Sequence, residues 1–585
     1  MLRISSINLY LLILLFAFVV RIIGINLNPI GITHDELHGL INAKSIALTY
    51  QSAPGTIAGI FTDKNFCQGI CVYGELVSYL LIPWMKIFPL SLIWSKIPFV
   101  IASIGIVFFA GKFFENITKN KNVGLLTSLL VAINPWAVHF GRTAFETLFS
   151  YLFYLASLYF FTRKNLQTKN LILGLVLAIL GFLSYMGAKP LFPFIIIWGC
   201  CYYFYQAKFR NYKAVVVTLI VSFFLLIGYI LILKNSPAGA RLEEISFKPE
   251  SGDTFESQVD YLRKVSLLVP FIRDISTNKY TVAESYYLNR YLTLLSPVYL
   301  FSKGEAIDVY AISSHSLMYL IDFPLIILGI ITLGASLPLA FYILILIAVI
   351  PFPAVINSVS TTYALRAGLL FPLLCGLSAL GIICLLKIKH NHLKNILVFF
   401  IVLFYSISFI YFLTMDWYRT PFEKSSAWFF HERVVSRYIN LTKQKSGNRI
   451  ILLAKTPLDF MYVYAFFSNE YTSSNNISEF NSNLKNKNLV FNNLALVRSC
   501  QDIPRVYQDN TTYIIEEGID CKNILKPPTQ ISDPRDGGDK FLIINDQLCS
   551  KFSLSNFPYP RNILDFEVEK MNQKQFCETW ISKLI

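Results

Sequence analysis

The sequence predicts a polytopic α-helical membrane protein of about eleven transmembrane helices with a small extracytoplasmic α/β domain at its C-terminal end. Three observations predict it: the composition, a series of long apolar runs, and the placement of charge between them. Of 585 residues, 54% are hydrophobic and 15% charged, and the mean hydropathy is +0.51. That excludes disordered, collagen-like and coiled-coil classes and makes lipid the main solvent of the chain. The 51 basic residues exceed the 36 acidic ones by a formal +15. In a soluble protein such an excess would point toward nucleic acid, but its distribution here points to topology, and no nucleic-acid partner is expected.

Runs of roughly 20 apolar residues cross a hydrocarbon core about 30 Å thick. Eleven lie near residues 8–26, 94–114, 123–140, 143–162, 170–187, 191–207, 214–233, 318–333, 337–356, 367–386 and 396–414. The first is not followed by a small-residue cleavage site, so it reads as retained. With the N-terminus inside, the short cytoplasmic loops and adjoining span ends hold Lys112, Lys119, Lys121, Arg163, Lys164, Lys169, Lys208, Arg210, Lys213, Lys387, Lys389 and Lys394, opposed by Glu115 alone. Together with Arg3 they account for nearly all the excess charge of residues 1–414, as the positive-inside bias requires. The tail, residues 415–585, is almost neutral, with 21 basic and 19 acidic groups. An odd number of spans leaves it outside the cytoplasm, in an integral plasma (inner) membrane protein whose N-terminus is cytoplasmic.

Cysteine placement agrees with that topology. Cys200, Cys201, Cys375 and Cys384 fall in spans, where a thiol acts as a small apolar group. Cys67, Cys71, Cys500, Cys521, Cys549 and Cys577 all fall in segments assigned outside, where disulfides persist. One pair is Cys67 with Cys71, and the four tail cysteines allow three pairings. The tail has helical character from Trp428 to Leu441, then short apolar runs at 449–454, 489–491, 513–515 and 541–544 broken by Asn, Ser, Gly and Pro, the pattern of an α/β domain. Two more outer regions are long enough to form a site, residues 27–93 and 234–317. Within the first, Val72–Leu92 is apolar but interrupted by Pro83 and Pro89, which favours an interfacial helix over another span.

Short outer turns carry a basic residue beside a span: Arg142, Lys189 and Arg366. Each alone could snorkel toward headgroups; three on one face suit an anionic lipid phosphate. Acids stand there too. Thr33-His34-Asp35-Glu36-Leu37-His38 opens the first outer loop, with Thr33 placed to cap a helix. A carboxylate there can deprotonate an acceptor hydroxyl. His34 and His38 permit a divalent metal, which is not favoured, and no cofactor is required. Arg142 and Glu146 are four apart at the head of a span, which predicts a shared helix face and a pair.

This arrangement resembles the GT-C class of membrane glycosyltransferases, and within it the protein O-mannosyltransferase and lipid A aminoarabinose transferase superfamily. The likeness rests on the acidic pair after the first span, the amphipathic helices of the first loop, Arg142-x-x-x-Glu146, and the turn Ser184-Tyr185-Met186-Gly187-Ala188-Lys189-Pro190. It covers residues 1–414. The resemblance implies transfer of one hexose or pentose, with inversion, from a polyprenyl-phosphate donor to a hydroxyl of a glycolipid, polysaccharide or protein at the outer face. Asp35 would be the general base, Glu36 its acidic neighbour and Glu146 the second acidic position. Lys189 and Arg142 would meet the carrier phosphate, with Arg241 and Arg366 as further candidates. The histidines around Asp35 have no counterpart in that assignment, and the tail does not resemble the β-trefoil domain of eukaryotic protein mannosyltransferases.

A transporter or flippase is the competing reading. It should place charge near the bilayer midplane in repeated halves, whereas Arg21, Lys96, Lys112, Glu146 and Asp322 all lie near span ends and no repeat is evident. A scaffold acting through its tail would leave the outer acids and bases unexplained. No Walker-type glycine-rich loop is present, and a lipid-phosphate donor needs none.

Overall fold

The computed structural model describes residues 6–56, 74–163, 167–208, 211–236, 239, 254–357, 363–446, 448–486, 488–503, 508, 510–519, 521 and 529–583. Helices occupy each apolar run, and the tail carries one mixed sheet. The first ten helices are α1 (Ser6–Ile22), α2 (His34–Thr49), α3 (Val77–Ile87), α4 (Leu92–Thr118), α5 (Lys121–Ile133), α6 (Pro135–Phe140), α7 (Thr147–Phe161), α8 (Thr168–Ser184), α9 (Leu191–Gln206) and α10 (Tyr212–Lys234). Among the described residues, four helical stretches are long and apolar enough to cross a membrane alone: Leu92–Thr118, Tyr212–Lys234, Leu337–Val355 and Asn391–Glu423. Other apolar helices are shorter, such as α5 with 13 residues, a rise of about 20 Å.

Two runs depart from the continuous helices expected of them. The 123–140 run breaks at Asn134, whose Oδ1 accepts from Ala137 N at 3.0 Å while Pro135 opens α6 at a position that needs no N–H. The 143–162 run becomes helical only at Thr147, so residues 141–146 form a turn. Arg142 and Glu146 therefore share no helix face.

At the centre of the bundle α4 packs on α1, α5 and α7, and α7 packs on α8. The helices Asp322–Leu333 and Leu370–Leu386 meet backbone to backbone at two glycines. A Cβ on Gly329 would stand 2.1 Å from Leu377 O, and one on Gly381 would stand 2.1 Å from Leu325 O. Small residues at crossing points are how helices approach closely where lipid removes the hydrophobic drive. At the periphery, α10 and Asn391–Thr414 expose Val217, Phe223, Phe224, Leu231, Phe399, Val402 and Ile410, apolar faces suited to acyl chains. The interrupted segment after residue 72 forms α3, which buries Val77, Leu81 and Met85 and exposes Tyr79, Leu80 and Ile87. That is the two-sided character of an interfacial helix.

The tail sheet has seven strands in the order β2-β3-β1-β4-β6-β5-β7: β1 (Arg449–Leu453), β2 (Val490–Phe491), β3 (Leu494–Val497), β4 (Thr511–Glu516), β5 (Thr529–Ser532), β6 (Asp539–Ile544) and β7 (Ser582–Lys583). β3, β1 and β4 run parallel and the outer pairings are antiparallel. The apolar runs at 449–454, 489–491, 513–515 and 541–544 each carry a strand. β5 and β7 carry Thr-Gln-Ile-Ser and Ser-Lys, which have no apolar period, and pairing rather than sequence makes them strands. Of the three possible tail pairings, the structure forms Cys500–Cys521 and Cys549–Cys577. Cys67 and Cys71 lie outside the described residues. Cys200, Cys201, Cys375 and Cys384 are free thiols on helices.

The tail sits against the segment that follows α1. Ile32 N donates to Trp428 O at 3.0 Å, and Gly31 is required there because a Cβ would lie 1.8 Å from that carbonyl oxygen. Asn481 Nδ2 donates to Ser45 Oγ at 2.9 Å, Tyr462 donates to Pro54 O, and Arg433 donates to Ile30 O. These bonds set α2 between the membrane helices and the sheet domain.

Candidate active site

Helix α2 begins with the cap foreseen at Thr33. Thr33 Oγ1 accepts from Glu36 N, while Thr33 N and Oγ1 donate to Glu36 Oε2 at 2.7 and 2.9 Å. The other oxygen of Glu36, Oε1, accepts from Ala144 N. Both carboxylate oxygens of this buried side chain are thus occupied, and Glu36 fastens the start of α2 to the 141–146 turn. Asp35, one residue earlier, points the other way, with 45% of its side chain exposed.

Around Asp35 the structure gathers groups from distant segments. Its charge acts directly on Glu146, Tyr185 and Tyr310. Tyr310 and Tyr363 face each other with hydroxyls 3.3 Å apart and ring centroids 5.3 Å apart. Arg366 lies over the Tyr363 ring at 4.8 Å and interacts with Tyr185 and Tyr310. Its Nε is buried and has no hydrogen-bond partner among the described residues. Burial keeps the Tyr310 phenol far above its ordinary titration range, so it remains an O–H donor. The segment carrying Tyr363 and Arg366 is held by Ala364 N, which donates to Glu305 Oε2 at 2.6 Å, and by Tyr151 OH, which donates to Leu365 O at 2.6 Å.

The other expected residues have different surroundings. Arg142 is 1% exposed and spends its guanidinium on main-chain carbonyls. Nε donates to Asn28 O at 3.0 Å, Nη1 to Val20 O and Ile23 O at 3.1 and 2.7 Å, and Nη2 to Gly24 O at 2.8 Å. The expected pair with Glu146 does not form, because the intervening turn is not helical and both Glu146 oxygens accept from Gly74 N at 2.9 Å. Lys189 is also engaged: its Nζ donates to Glu75 Oε2 at 2.6 Å and Phe182 O at 2.8 Å, and it lies over the rings of Phe182 and Tyr229. Tyr229 OH donates to the second oxygen of Glu75 at 2.8 Å. This buried Glu75–Lys189–Tyr229 unit stands near Glu146, with the charges of Glu75 and Lys189 paired to each other. Arg241 lies outside the described residues.

His34 and His38 occupy one face of α2, with ring centroids 4.2 Å apart. Both meet Asp459, on the helix Pro457–Phe467 of the tail: Asp459 Oδ1 is 3.2 Å from His34 Nε2 and 3.6 Å from His38 Nε2. Burial alone would lower the His34 pKa, but Asp35 and Asp459 outweigh it and lift it to about 9. Burial dominates at His38 and lowers its pKa. Burial of Asp459 opposes ionisation, yet the two imidazoles hold its carboxyl well below the usual range.

Sequence reasoning missed Glu75, Tyr310, Tyr363 and Asp459. Tyr310 and Tyr363 sit in segments between apolar runs among 33 tyrosines, and Asp459 is 425 residues from His34. Nothing in local pattern marks them.

No family model matches the chain, and no curated protein matches it in sequence. Among solved structures, the chain is similar to ArnT from Cupriavidus metallidurans bound to undecaprenyl phosphate, at 9% identity and a TM-score of 0.48, covering 91% of this chain and 97% of that one. It is also similar to the oligosaccharyltransferase of Archaeoglobus fulgidus in its apo form, at 11% identity and a TM-score of 0.42, covering 86% of this chain and 70% of that one. A complex of that archaeal oligosaccharyltransferase, AglB, with an inhibitory peptide and a dolichol-phosphate gives 11% identity and a TM-score of 0.43, covering 93% and 74%.

Proposed function

We propose that the chain is an inverting glycosyltransferase that moves a single sugar from a polyprenyl-phosphate donor to an acceptor hydroxyl at the extracytoplasmic face of the membrane. One observation carries the reading: an exposed carboxylate, Asp35, shares a tyrosine-walled cluster with Arg366, whose buried Nε is unspent. As the acceptor oxygen attacks the anomeric carbon, Asp35 takes its proton. The bond from that carbon to the phosphate oxygen breaks on the opposite face, and the electron pair leaves with the lipid phosphate. Arg366 offsets the charge that develops there, and the Tyr310 hydroxyl adds a donor. Glu146 faces the sugar hydroxyls, and no metal ion has a step in this scheme.

Glu36, Arg142 and Lys189 serve the scaffold in this scheme. Glu36 and Arg142 fix the geometry of the first loop, and Lys189 balances Glu75. The tail faces the outside in an eleven-span arrangement, a reading supported by its two disulfides and by the basic cytoplasmic loops. The acceptor is a glycolipid, a polysaccharide or a protein, and surrounding membrane lipids hold the donor chain.

The reaction is tested by supplying the purified full chain in bilayer nanodiscs with labelled polyprenyl-phosphate hexoses and pentoses and membrane acceptors. The anomeric configuration of the product is then read by NMR. One donor giving an inverted product is the expected result. Retention of configuration, or transport of the lipid without transfer, contradicts the scheme.

A further inference from the structure

The strongest cluster outside the transfer site is the meeting of His34, His38 and Asp459. We propose that these three residues bind a zinc-class divalent cation, which clamps the sheet domain onto α2. His34 and His38 are four residues apart and therefore project from one helix face, one turn from each other. The carboxylate that meets them comes from the other side of the domain boundary. One ligand atom from each residue lies within 4.8 Å of the other two. A tetrahedral ion with ligand bonds near 2.0–2.1 Å sets its ligand atoms about 3.3 Å apart. The distances of 3.2 and 3.6 Å from Asp459 Oδ1 to the two Nε2 atoms bracket that value.

Two imidazoles and one carboxylate suit zinc and neighbouring first-row ions, and are a poor set for magnesium or calcium, which prefer all-oxygen shells. The set leaves a fourth position for water. Outer support is present as well. Asp35 Oδ1 lies 3.8 Å from Nδ1 of His34, on the ring edge away from Asp459, where its charge acts on the ring electrostatically. His38 is further fixed against the Tyr462 ring at 5.1 Å, one turn along the helix that carries Asp459. Such an ion would order the residue adjacent to Asp35 and make tail docking metal-dependent. It touches neither donor nor acceptor, so the proposal stands or falls separately from the transfer reaction.

The test is metal content. The full chain in detergent is stripped with a chelator, dialysed against zinc at low micromolar concentration, and assayed by mass spectrometry for bound metal. Asp459→Asn and His38→Gln are assayed in parallel, and cobalt replacement reports geometry through its visible absorption. We expect about one zinc per wild-type chain, a tetrahedral cobalt spectrum, and zinc affinity weakened at least about tenfold in both variants. Asp459 is at the domain surface, so Asp459→Asn remains informative if His38→Gln does not fold. Zinc should also protect the junction between helix bundle and sheet domain from limited proteolysis, in wild type only. Wild type that retains no zinc, with the three side chains acting only as an ion pair, overturns the proposal. Equal retention by wild type and Asp459→Asn overturns it too.

Discussion

Arg142 directs four of its N–H groups to the carbonyls of Asn28, Val20, Ile23 and Gly24, whereas Nε of Arg366 has no partner among the described residues. The two arginines look alike in sequence, each a single basic residue in a short outer turn. Arg142 is used up by main-chain carbonyls at the end of α1 and in the segment that follows it. Arg366 is surrounded by tyrosines, whose hydroxyls do not saturate a guanidinium. Arg366→Gln should therefore lower kcat about 100-fold with little change in thermal midpoint, a split readable from steady-state kinetics and melting curves. Lys189→Met should do the opposite. It leaves Glu75 buried without its cation, a loss of about 3–5 kcal/mol, seen as a lower midpoint even without substrate. A further consequence lies at His431, 4% exposed, where burial pushes the pKa down to about 4 from 6.5. The unfolded chain takes up a proton below pH 6.5 that the folded chain refuses until about pH 4. Stability present above pH 6.5 is thus lost on acidification, by on the order of 3 kcal/mol. Denaturation of wild type and His431→Gln between pH 7 and 4 should show a steeper loss of stability in wild type than in the variant.

At the scale of elements, apolar runs foretold where helices stand but not where they start. Asn134-Pro135 and the 141–146 turn interrupt stretches whose hydropathy is continuous, because capping and proline chemistry act below the resolution of a 20-residue window. That is why the Arg142–Glu146 pair, sound for a helix, is absent. In the tail, β1, β4 and β6 announced themselves through Ile-Ile-Leu-Leu, Tyr-Ile-Ile and Phe-Leu-Ile-Ile, while β5 and β7 exist only by pairing. The glycines are equally contextual. Gly381→Ala should separate Asp322–Leu333 from Leu370–Leu386 and lower the thermal midpoint, since its Cβ meets main chain at 2.1 Å. Gly228→Ala in α10 should be tolerated, since its Cβ meets nothing within 4 Å.

For the whole molecule, the acid and the cation of the candidate site, Asp35 and Arg366, were legible, and the tyrosines that wall it were not. Asp35 and Glu36 stand side by side just after the first span, and a capped helix start was readable from Thr33 and Glu36. Which of the two acids faces outward was not, because that depends on Ala144 reaching Glu36 across 108 positions. Tyr310, Tyr363 and Asp459 enter only through tertiary folding, from the long segment before residue 318, the turn near residue 363 and the tail. The proposed reaction therefore depends on Asp35, with its neighbours as supports. The direct measurement is the rate of sugar transfer by wild type and Asp35→Asn, with labelled lipid-phosphate donor, at saturating acceptor. Loss of a general base predicts a fall of about 100- to 10,000-fold, with the variant folded and still binding donor. Undiminished transfer by Asp35→Asn would contradict the account.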